Sequence, residues 1–532
     1  MNSKIEEFWN SLYSRGISSK KELVREMIRI KLTEDAIENS DLHQKDITAD
    51  QLYDIMKNIT EAELGDFPED RDFFQEIYRL AKEIDLQVFT IQTYKHDRMG
   101  TMIAPIHLTD YMEELIEQQG VNTVLITDAE KSLIGLKKNI EKSKHIQFTL
   151  TSENKMTFLL LKLIFKRFDN TCVKHQSIYK KLLMPERFDL VLCLPVFGVK
   201  FDQEEVSNKY MTRESEGIAV ENLLEVIDHH GKLFVIVPAR FTFSGGGFEQ
   251  IRHEIMTQYS LESIYTLPEG TFRPYTGIKT YMLGIANEPV LNVKLGHLAL
   301  EEETFKLKDQ KKIPKTEFNK YSDWRVELFL SKNQDDLQKF KQSAVQKIKL
   351  KDIADIFRGK SVMKKDIQPG KIHILNISNI EDGHIVFEHM DTIDEEERKI
   401  KRYELLEHDL VITCRGTINK VAVYKGFQKC VIASANIMVI RFKEEVMSDY
   451  VKIFMESPLG RTMIKSFQRG STVMNINPKD IGEMEVPIAN LAEQKAIVAE
   501  YLHENKLYIE TIKKAEQRWA IQQQEIFEKI LK

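Results

Sequence analysis

From about residue 96 to residue 290 the chain alternates short β-type runs with amphipathic helical ones, and this alternation limits the fold more than any other feature. Thr123-Val-Leu-Ile-Thr, Ile146-Gln-Phe-Thr-Leu, Phe188-Asp-Leu-Val-Leu-Cys-Leu and Gly231-Lys-Leu-Phe-Val-Ile-Val-Pro are strand candidates. Between them, Asn154 to Phe168 and Ile218 to His230 repeat apolar residues at helical spacing. Parallel strands need long crossovers, which helices supply, so the pattern predicts a mostly parallel, doubly wound sheet. A sheet of that kind takes its ligand at the carboxyl ends of its strands, on a first turn rich in glycine. Here that turn reads Thr127-Asp-Ala-Glu-Lys-Ser-Leu, with no glycine before Gly135.

The flanks differ in character. Residues 1–95 read as a helical packing or partner-contact domain, with turns near Thr33 to Asp46 and Gly65 to Asp70. Residues 291–345 are charged and less regular, a connector. Residues 346–490 are richer in strands, notably Leu405 to Thr417 and Lys429 to Phe442. Residues 491–532 form one long helix with Ile497, Tyr501, Ile512, Trp519, Ile526 and Ile530 among its apolar positions. A chain of 532 residues accommodates roughly three or four domains.

Charge and cysteine usage exclude several classes. Lys plus Arg number 76 against 82 Asp plus Glu, a net −6, so a globally basic nucleic-acid coat is excluded while local basic patches are not. No apolar run is long enough to span a membrane, and the acidic, amphipathic N-terminus is unlike a signal peptide. Cys172, Cys193, Cys414 and Cys430 lie far apart, which indicates neither a disulfide framework nor a metal site. The expected location is cytoplasmic. Ser244-Gly-Gly-Gly247 lacks the lysine ending of a phosphate loop and reads as a flexible loop. His229-His230 reads as the close of a helix before Gly231, and Asp189 as a strand residue.

The segment Phe188-Asp-Leu-Val-Leu-Cys-Leu-Pro-Val-Phe-Gly198 resembles the Asn-Pro-Pro-Phe strand end of N6-adenine DNA methyltransferases, in particular the modification subunits of type I restriction systems. Arg98-Met-Gly-Thr-Met-Ile-Ala-Pro-Ile-His-Leu-Thr-Asp-Tyr-Met resembles that family's lead-in. Val220 to Pro238, Phe248-Glu-Gln-Ile-Arg and Leu267-Pro-Glu-Gly-Thr-Phe-Arg-Pro-Tyr-Thr-Gly resemble the segments downstream of its catalytic motif. The resemblance implies that Leu194, Pro195, Val196 and Phe197 occupy the catalytic positions, which in the family hold a flipped adenine. Leu194 offers no side-chain acceptor for the adenine amino group; Pro195 and the stacking aromatic Phe197 match. The family's glycine-rich cofactor loop corresponds to Ile126 through Ser132, where bulky or charged side chains stand. Glu153 matches the acid that would hold the ribose of S-adenosylmethionine, whereas Gln176 or Ser177 replaces a later Asp. The motif positions therefore read as degenerate and inactive.

Residues 346–532 resemble the specificity subunits of the same systems. The resemblance rests on Lys349-Leu-Lys-Asp-Ile-Ala-Asp-Ile-Phe-Arg-Gly-Lys360, Leu405 to Thr417, Ala433-Ser-Ala-Asn436, Gln468-Arg-Gly-Ser-Thr472, Ile476-Asn-Pro-Lys-Asp-Ile-Gly and Val486-Pro-Ile-Ala-Asn-Leu-Ala-Glu-Gln494. It implies a target-recognition domain followed by a spacer helix. Cations that would neutralise phosphates or read base edges are Arg358, Lys360, Lys364, Lys365, Arg461 and Lys465, with Arg415 and Arg469 in turns.

The expected architecture is α/β plus α+β multidomain: a helical N-terminal domain (1–95), a doubly wound, Rossmann-type methyltransferase-like domain with connector (96–345), a target-recognition domain (346–490) and a long spacer or dimerisation helix (491–532). The expected function is that of a fused modification-plus-specificity protein that binds specific double-stranded DNA and has lost methyl transfer, serving as a recognition scaffold in a prokaryotic defence or DNA-processing system. The partners implied are DNA, a second copy paired through the C-terminal helix, and a nuclease, translocase or methyltransferase subunit; no membrane, metal or cofactor is expected. The competing expectation is an active adenine-N6 methyltransferase using S-adenosylmethionine in an atypical site.

Overall fold

The structure, a computed structural model, describes residues 3–40, 47–95, 102–204, 209–330, 334–416, 420–443, 446–468 and 475–531. The chain divides into two compact units, residues 1–326 and 327–532.

The first unit opens with five helices: α1 (Ser3–Ser14), α2 (Lys20–Glu38), α3 (Ala49–Leu64), α4 (Arg71–Ala81) and α5 (Leu86–Tyr94). Their starts are written locally. Ser19 with Glu22 and Thr48 with Gln51 form reciprocal capping boxes, and Asp70 and Asp85 cap the next two helices. Helix α2 runs on to Glu38, past the turn expected near Thr33; Thr33 is buried and its hydroxyl donates to the Arg29 carbonyl four residues back. Arg29 is itself fully buried, donating to Glu26 at 2.7 Å and to Thr60 and the Gly65 carbonyl at 2.8 Å.

A nine-stranded sheet comes next. Helix α6 (Ile106–Gln119) leads into β1 (Thr123–Thr127), α7 (Leu133–Lys142), β2 (Gln147–Ser152), α8 (Lys155–Ile164), β3 (Thr171–His175), β4 (Phe188–Cys193), α9 (Ser215–Leu224), β5 (Ile227–Pro238), α10 (Arg240–Phe243) and α11 (Gly247–Thr257). Strands β6 (Ser260–Thr266), β7 (Thr280–Ala286), β8 (Asn292–Glu301) and β9 (Thr304–Pro314) complete it. The strand order is β3-β2-β1-β4-β5-β7-β6-β8-β9, parallel from β3 through β5, with β7 antiparallel to both its neighbours. The order reverses between β1 and β4, which makes their adjacent carboxyl ends the topological switch point where sheets of this kind take ligands.

Several expectations change here. The segment from 291 onward, expected as a connector, holds the β8–β9 hairpin, which extends the sheet. His229 and His230 lie in β5 and not at a helix end, because α9 already stops at Leu224. A helix does begin at Gly247, and Gly246 (φ +67°) takes a positive-φ backbone conformation, open to glycine, just before it. One continuous apolar cluster runs from Ile5 in α1 through the sheet to Phe305 in β9, so the N-terminal helices and the sheet share a core.

The second unit is built on an antiparallel sheet of Ala354–Arg358, Ile437–Phe442, Leu410–Thr413 and Val421–Val423. A second, three-stranded sheet joins Asp391–Ile393, Ile372–Leu375 and Val431–Ala433. The single run expected from Lys429 to Phe442 is therefore two strands in different sheets, separated at Ser434–Asn436. The strand Gln346–Lys349 pairs antiparallel with Glu485–Ile488, bringing the two ends of this folded part together. The helix Leu491–Ile530 then leaves, capped by the Asn490 side chain at the Glu493 N–H. Its 40 residues reach about 60 Å at 1.5 Å per residue. Within it only Gln494 and Val498 are buried.

Candidate functional site

The switch point is closed by a compact charged cluster. Asp128, the residue after β1, adopts a left-handed conformation (φ 44°), and a tight 3-10 turn over Ala129–Ser132 comes after it. This conformation, costly for a residue with a Cβ, swings the turn back over the strand ends. All four residues of the turn are buried. The Lys131 ammonium donates to Asp128 Oδ2 at 2.8 Å and, across the switch point, to the Leu194 carbonyl at 2.7 Å. Its own carbonyl accepts from the Ala104 N–H at 2.6 Å, which fastens the segment before α6 to the turn.

Glu130 is buried alongside. Burial, reinforced by the charge of Asp128, pushes its carboxyl up to about 7 against the pull of Lys131 and Ser152. One oxygen of Glu130 and one of Asp128 are buried without a hydrogen-bond partner. Cys193, which pairs with Thr127 across the parallel register, is fully buried, and burial pushes its thiol up to about 12, so it is a packing residue.

The motif positions form a pinned loop. Leu194 and Pro195 are buried, Val196 is exposed and Phe197 is half-buried, its ring edge-on to Phe272 with centroids 5.5 Å apart. The Val196 N–H donates to the Tyr179 hydroxyl at 2.7 Å, and its carbonyl accepts from the Ser215 hydroxyl at 2.8 Å. The Gly198 N–H donates to Glu216 at 3.1 Å, whose carboxyl is shifted upward by burial. Tyr179, Ser215 and Glu216 were not singled out in the sequence; their order after β3 and at the start of α9 carries no motif of its own.

Glu153 stands exposed just beyond β2, and the His175 ring meets its backbone carbonyl at 2.8 Å. Gln176 accepts the Leu183 N–H at 3.3 Å, and the Ser177 hydroxyl accepts the Tyr179 N–H at 3.2 Å, so both serve the local turn. Asp189 accepts the Asn122 and Thr123 N–H groups, a strand-end clasp far from the cluster's end of the sheet. Of the lead-in, residues 96–101 fall outside the described residues.

In the second unit the cations separate into two groups. Arg358 is engaged internally, donating to Asn475 at 2.5 Å and the Ile476 carbonyl at 2.7 Å, and Lys360 pairs with Glu395 at 2.9 Å. Lys364, Lys365, Arg415, Arg461 and Lys465 are exposed. Arg461 and Lys465 lie one turn apart on the helix Pro458–Ser466. Arg469 lies outside the described residues. Among the described residues no three potential metal ligands converge, and no helix is long and apolar enough to cross a membrane.

Both parts of the chain match known families. Residues 69–356 match the family described as N-6 DNA Methylase, and residues 342–517 match the type I restriction modification DNA specificity domain. The chain is similar to the type I restriction enzyme EcoEI methylase subunit of Escherichia coli, 28% identical over 165 residues, covering 30% of this chain and 32% of the relative. It is also similar to the EcoBI specificity subunit of the same organism, 24% identical over 134 residues, covering 25% and 28%. The chain thus spans about a third of the length of these relatives. Among solved structures, the type I restriction-modification system methyltransferase subunit from Streptococcus thermophilus aligns at 10% identity with a TM-score of 0.41, covering 57% of this chain and 89% of that one. The chain belongs to the N-6 DNA methylase family. It joins the methylase region to a type I specificity domain in one polypeptide.

Proposed function

We propose that this chain is a sequence-specific DNA-binding protein of the type I modification–specificity fusion kind whose methylase region no longer transfers methyl groups. The observation that carries the DNA reading is the specificity-domain match over 342–517, coupled to the exposed cations Lys364, Lys365, Arg415, Arg461 and Lys465. Exposed cations neutralise phosphates and give affinity; base edges are read by the neighbouring loops.

The methylase family implies S-adenosylmethionine, and the residues at this switch point do not fit it. Leu194 is an apolar, buried side chain where the family's motif supplies a hydrogen-bond acceptor for the adenine amino group. The loop meant for the donor has no glycine to let backbone approach a ligand, and its four side chains are packed away. The work of the chain is therefore recognition.

The C-terminal helix supports a homodimer. Val498, Ile512, Trp519 and Ile526 fall on one seven-residue series in which Asn505 is the polar member. From Leu502 onward its large apolar residues, Ile512 and Trp519 among them, are more than a third exposed. Antiparallel pairing of two such helices covers this seam and presents two recognition domains, one per half-site. A nuclease, translocase or active methyltransferase subunit is the effector that such a scaffold recruits, in the cytoplasm.

Selection from a random duplex pool with the purified chain tests the reading, run with and without radiolabelled S-adenosylmethionine. The expected result is enrichment of a two-part sequence, unchanged by the donor, with no label on the DNA. Label incorporated into the enriched duplex would overturn the loss of methyl transfer, and an unenriched pool would overturn recognition.

A further inference from the structure

We infer that Lys131 is a built-in occupant of the switch-point pocket: its ammonium holds the ends of β1 and β4 in the arrangement that a bound small molecule would otherwise organise. The inference rests on the proposed loss of methyl transfer and adds what replaces the ligand. A lysine side chain is among the least often buried, because removing an ammonium from water is costly unless it is paired and hydrogen-bonded. Lys131 is 5% exposed and meets both requirements with acceptors from two different strands' ends, Asp128 after β1 and Leu194 after β4.

The geometry is specific. The two strands are adjacent and parallel, Thr127 opposite Cys193, so Asp128 and Leu194 leave the sheet side by side at the switch point. The Asp128 backbone takes its left-handed turn there, and the 3-10 turn after it presents Lys131 back toward the partner strand. The carbonyl at the first motif position, Leu194, is thus engaged by an internal donor, and the charge of Asp128 is balanced by an internal cation. The Lys131 carbonyl accepts the Ala104 N–H, so the occupant also fixes the segment entering α6. A ligand-free enzyme pocket would leave these strand ends to water; here the chain fills its own site, and the fold is independent of any small molecule at this place.

The alternative role, an ammonium waiting for an anionic ligand, conflicts with its pairing to a buried carboxylate and its enclosure. A purely local helix-start role conflicts with the contact to Leu194, 63 residues away.

Thermal melting of the full chain tests this, using wild type, Lys131→Met, which keeps volume and removes charge, and Lys131→Met with Asp128→Asn. S-adenosylhomocysteine at millimolar concentration is the probe ligand. Expected are no rise in wild-type Tm with the probe, a Tm for Lys131→Met lower by roughly 5 °C or more, and recovery of more than half of that loss in the double variant. If Lys131→Met fails to fold, a folded double variant carries the same conclusion. A Lys131→Met protein that melts like wild type, or a double variant no better than the single one, overturns the occupant while leaving the non-catalytic reading intact. A wild-type Tm raised by the probe overturns both.

Discussion

The backbone N–H of Val196 donates to the hydroxyl of Tyr179 at 2.7 Å, so the exposed tip of the motif loop is fixed by a residue that leaves β3, at the far edge of the parallel half of the sheet. Tyr179 is itself buried, and burial holds its hydroxyl protonated well above the ordinary range. Tyr179→Phe removes this acceptor and keeps the ring. The expected cost is about 1 kcal/mol in urea unfolding, with an unchanged slope and unchanged DNA affinity. A loss of DNA binding at preserved stability would place the motif loop at the DNA.

Glu130 gives the fold a pH signature. Folded, its carboxyl holds a proton up to about 7; its ordinary value is 4.5. Between those values the folded state binds more protons than the unfolded one, so stability declines as pH rises through this window. Glu130→Gln keeps the shape of the protonated acid and removes the penalty. It is expected to stabilise the chain at pH 8 by on the order of 1–3 kcal/mol, the gain vanishing below about pH 5. Paired denaturation curves at the two pH values decide this, and equal gains at both would contradict the assignment.

The exposed cations should act as phosphate contacts. Arg461→Ala with Lys465→Ala is expected to weaken duplex binding uniformly across sequences and to flatten the dependence of log K on log salt by about 1–2 units. Arg358→Ala should behave differently. Its guanidinium donates to Asn475 and Ile476 within the fold, so the change should lower stability before it alters binding. Anisotropy titrations at several salt concentrations, alongside melting curves, separate the two.

The C-terminal helix should govern assembly. Ile512→Glu combined with Trp519→Glu places charge in the exposed apolar seam and is expected to convert a dimer into a 62.1 kDa monomer in sedimentation velocity. Melting of the recognition unit should be unaffected, because the helix buries only Gln494 and Val498 against it.

The parts of the fold with a strong local signal were legible from residue types. The runs at Thr123, Phe188 and Gly231 became β1, β4 and the body of β5, and the Asn-capped helix after Pro487 extends unbroken to Ile530. What escaped notice depends on distant partners. Strand β3 (Thr-Cys-Val-Lys-His) is an edge with no fully buried residue, so it lacks the apolar pattern that announces a strand. The β8–β9 hairpin is rich in charge because β9 is the sheet's other edge, where lysines discourage further pairing. The His229-His230 pair misled because the buried run of β5 begins only after it, at Gly231.

The same division holds at the site. That Ile126 through Ser132 departs from a glycine-rich loop can be read directly from side-chain size. That Lys131 reaches Leu194, or that Arg29 lies fully buried on Glu26, Thr60 and Gly65, cannot be read so, because lysine and arginine are ordinarily solvated and only tertiary packing reveals the exception.

The antiparallel pairing of Gln346–Lys349 with Glu485–Ile488 sets the entrance and exit of the recognition fold side by side. Everything between those strands is topologically an insertion into a two-stranded clasp. On the proposed recognition role, a different sequence-reading cassette grafted at residues 350 and 484 would keep the clasp if it also supplied the N–H that Gln494 of the departing helix accepts from Met447, so changing the DNA target would be a matter of exchange and not of redesign.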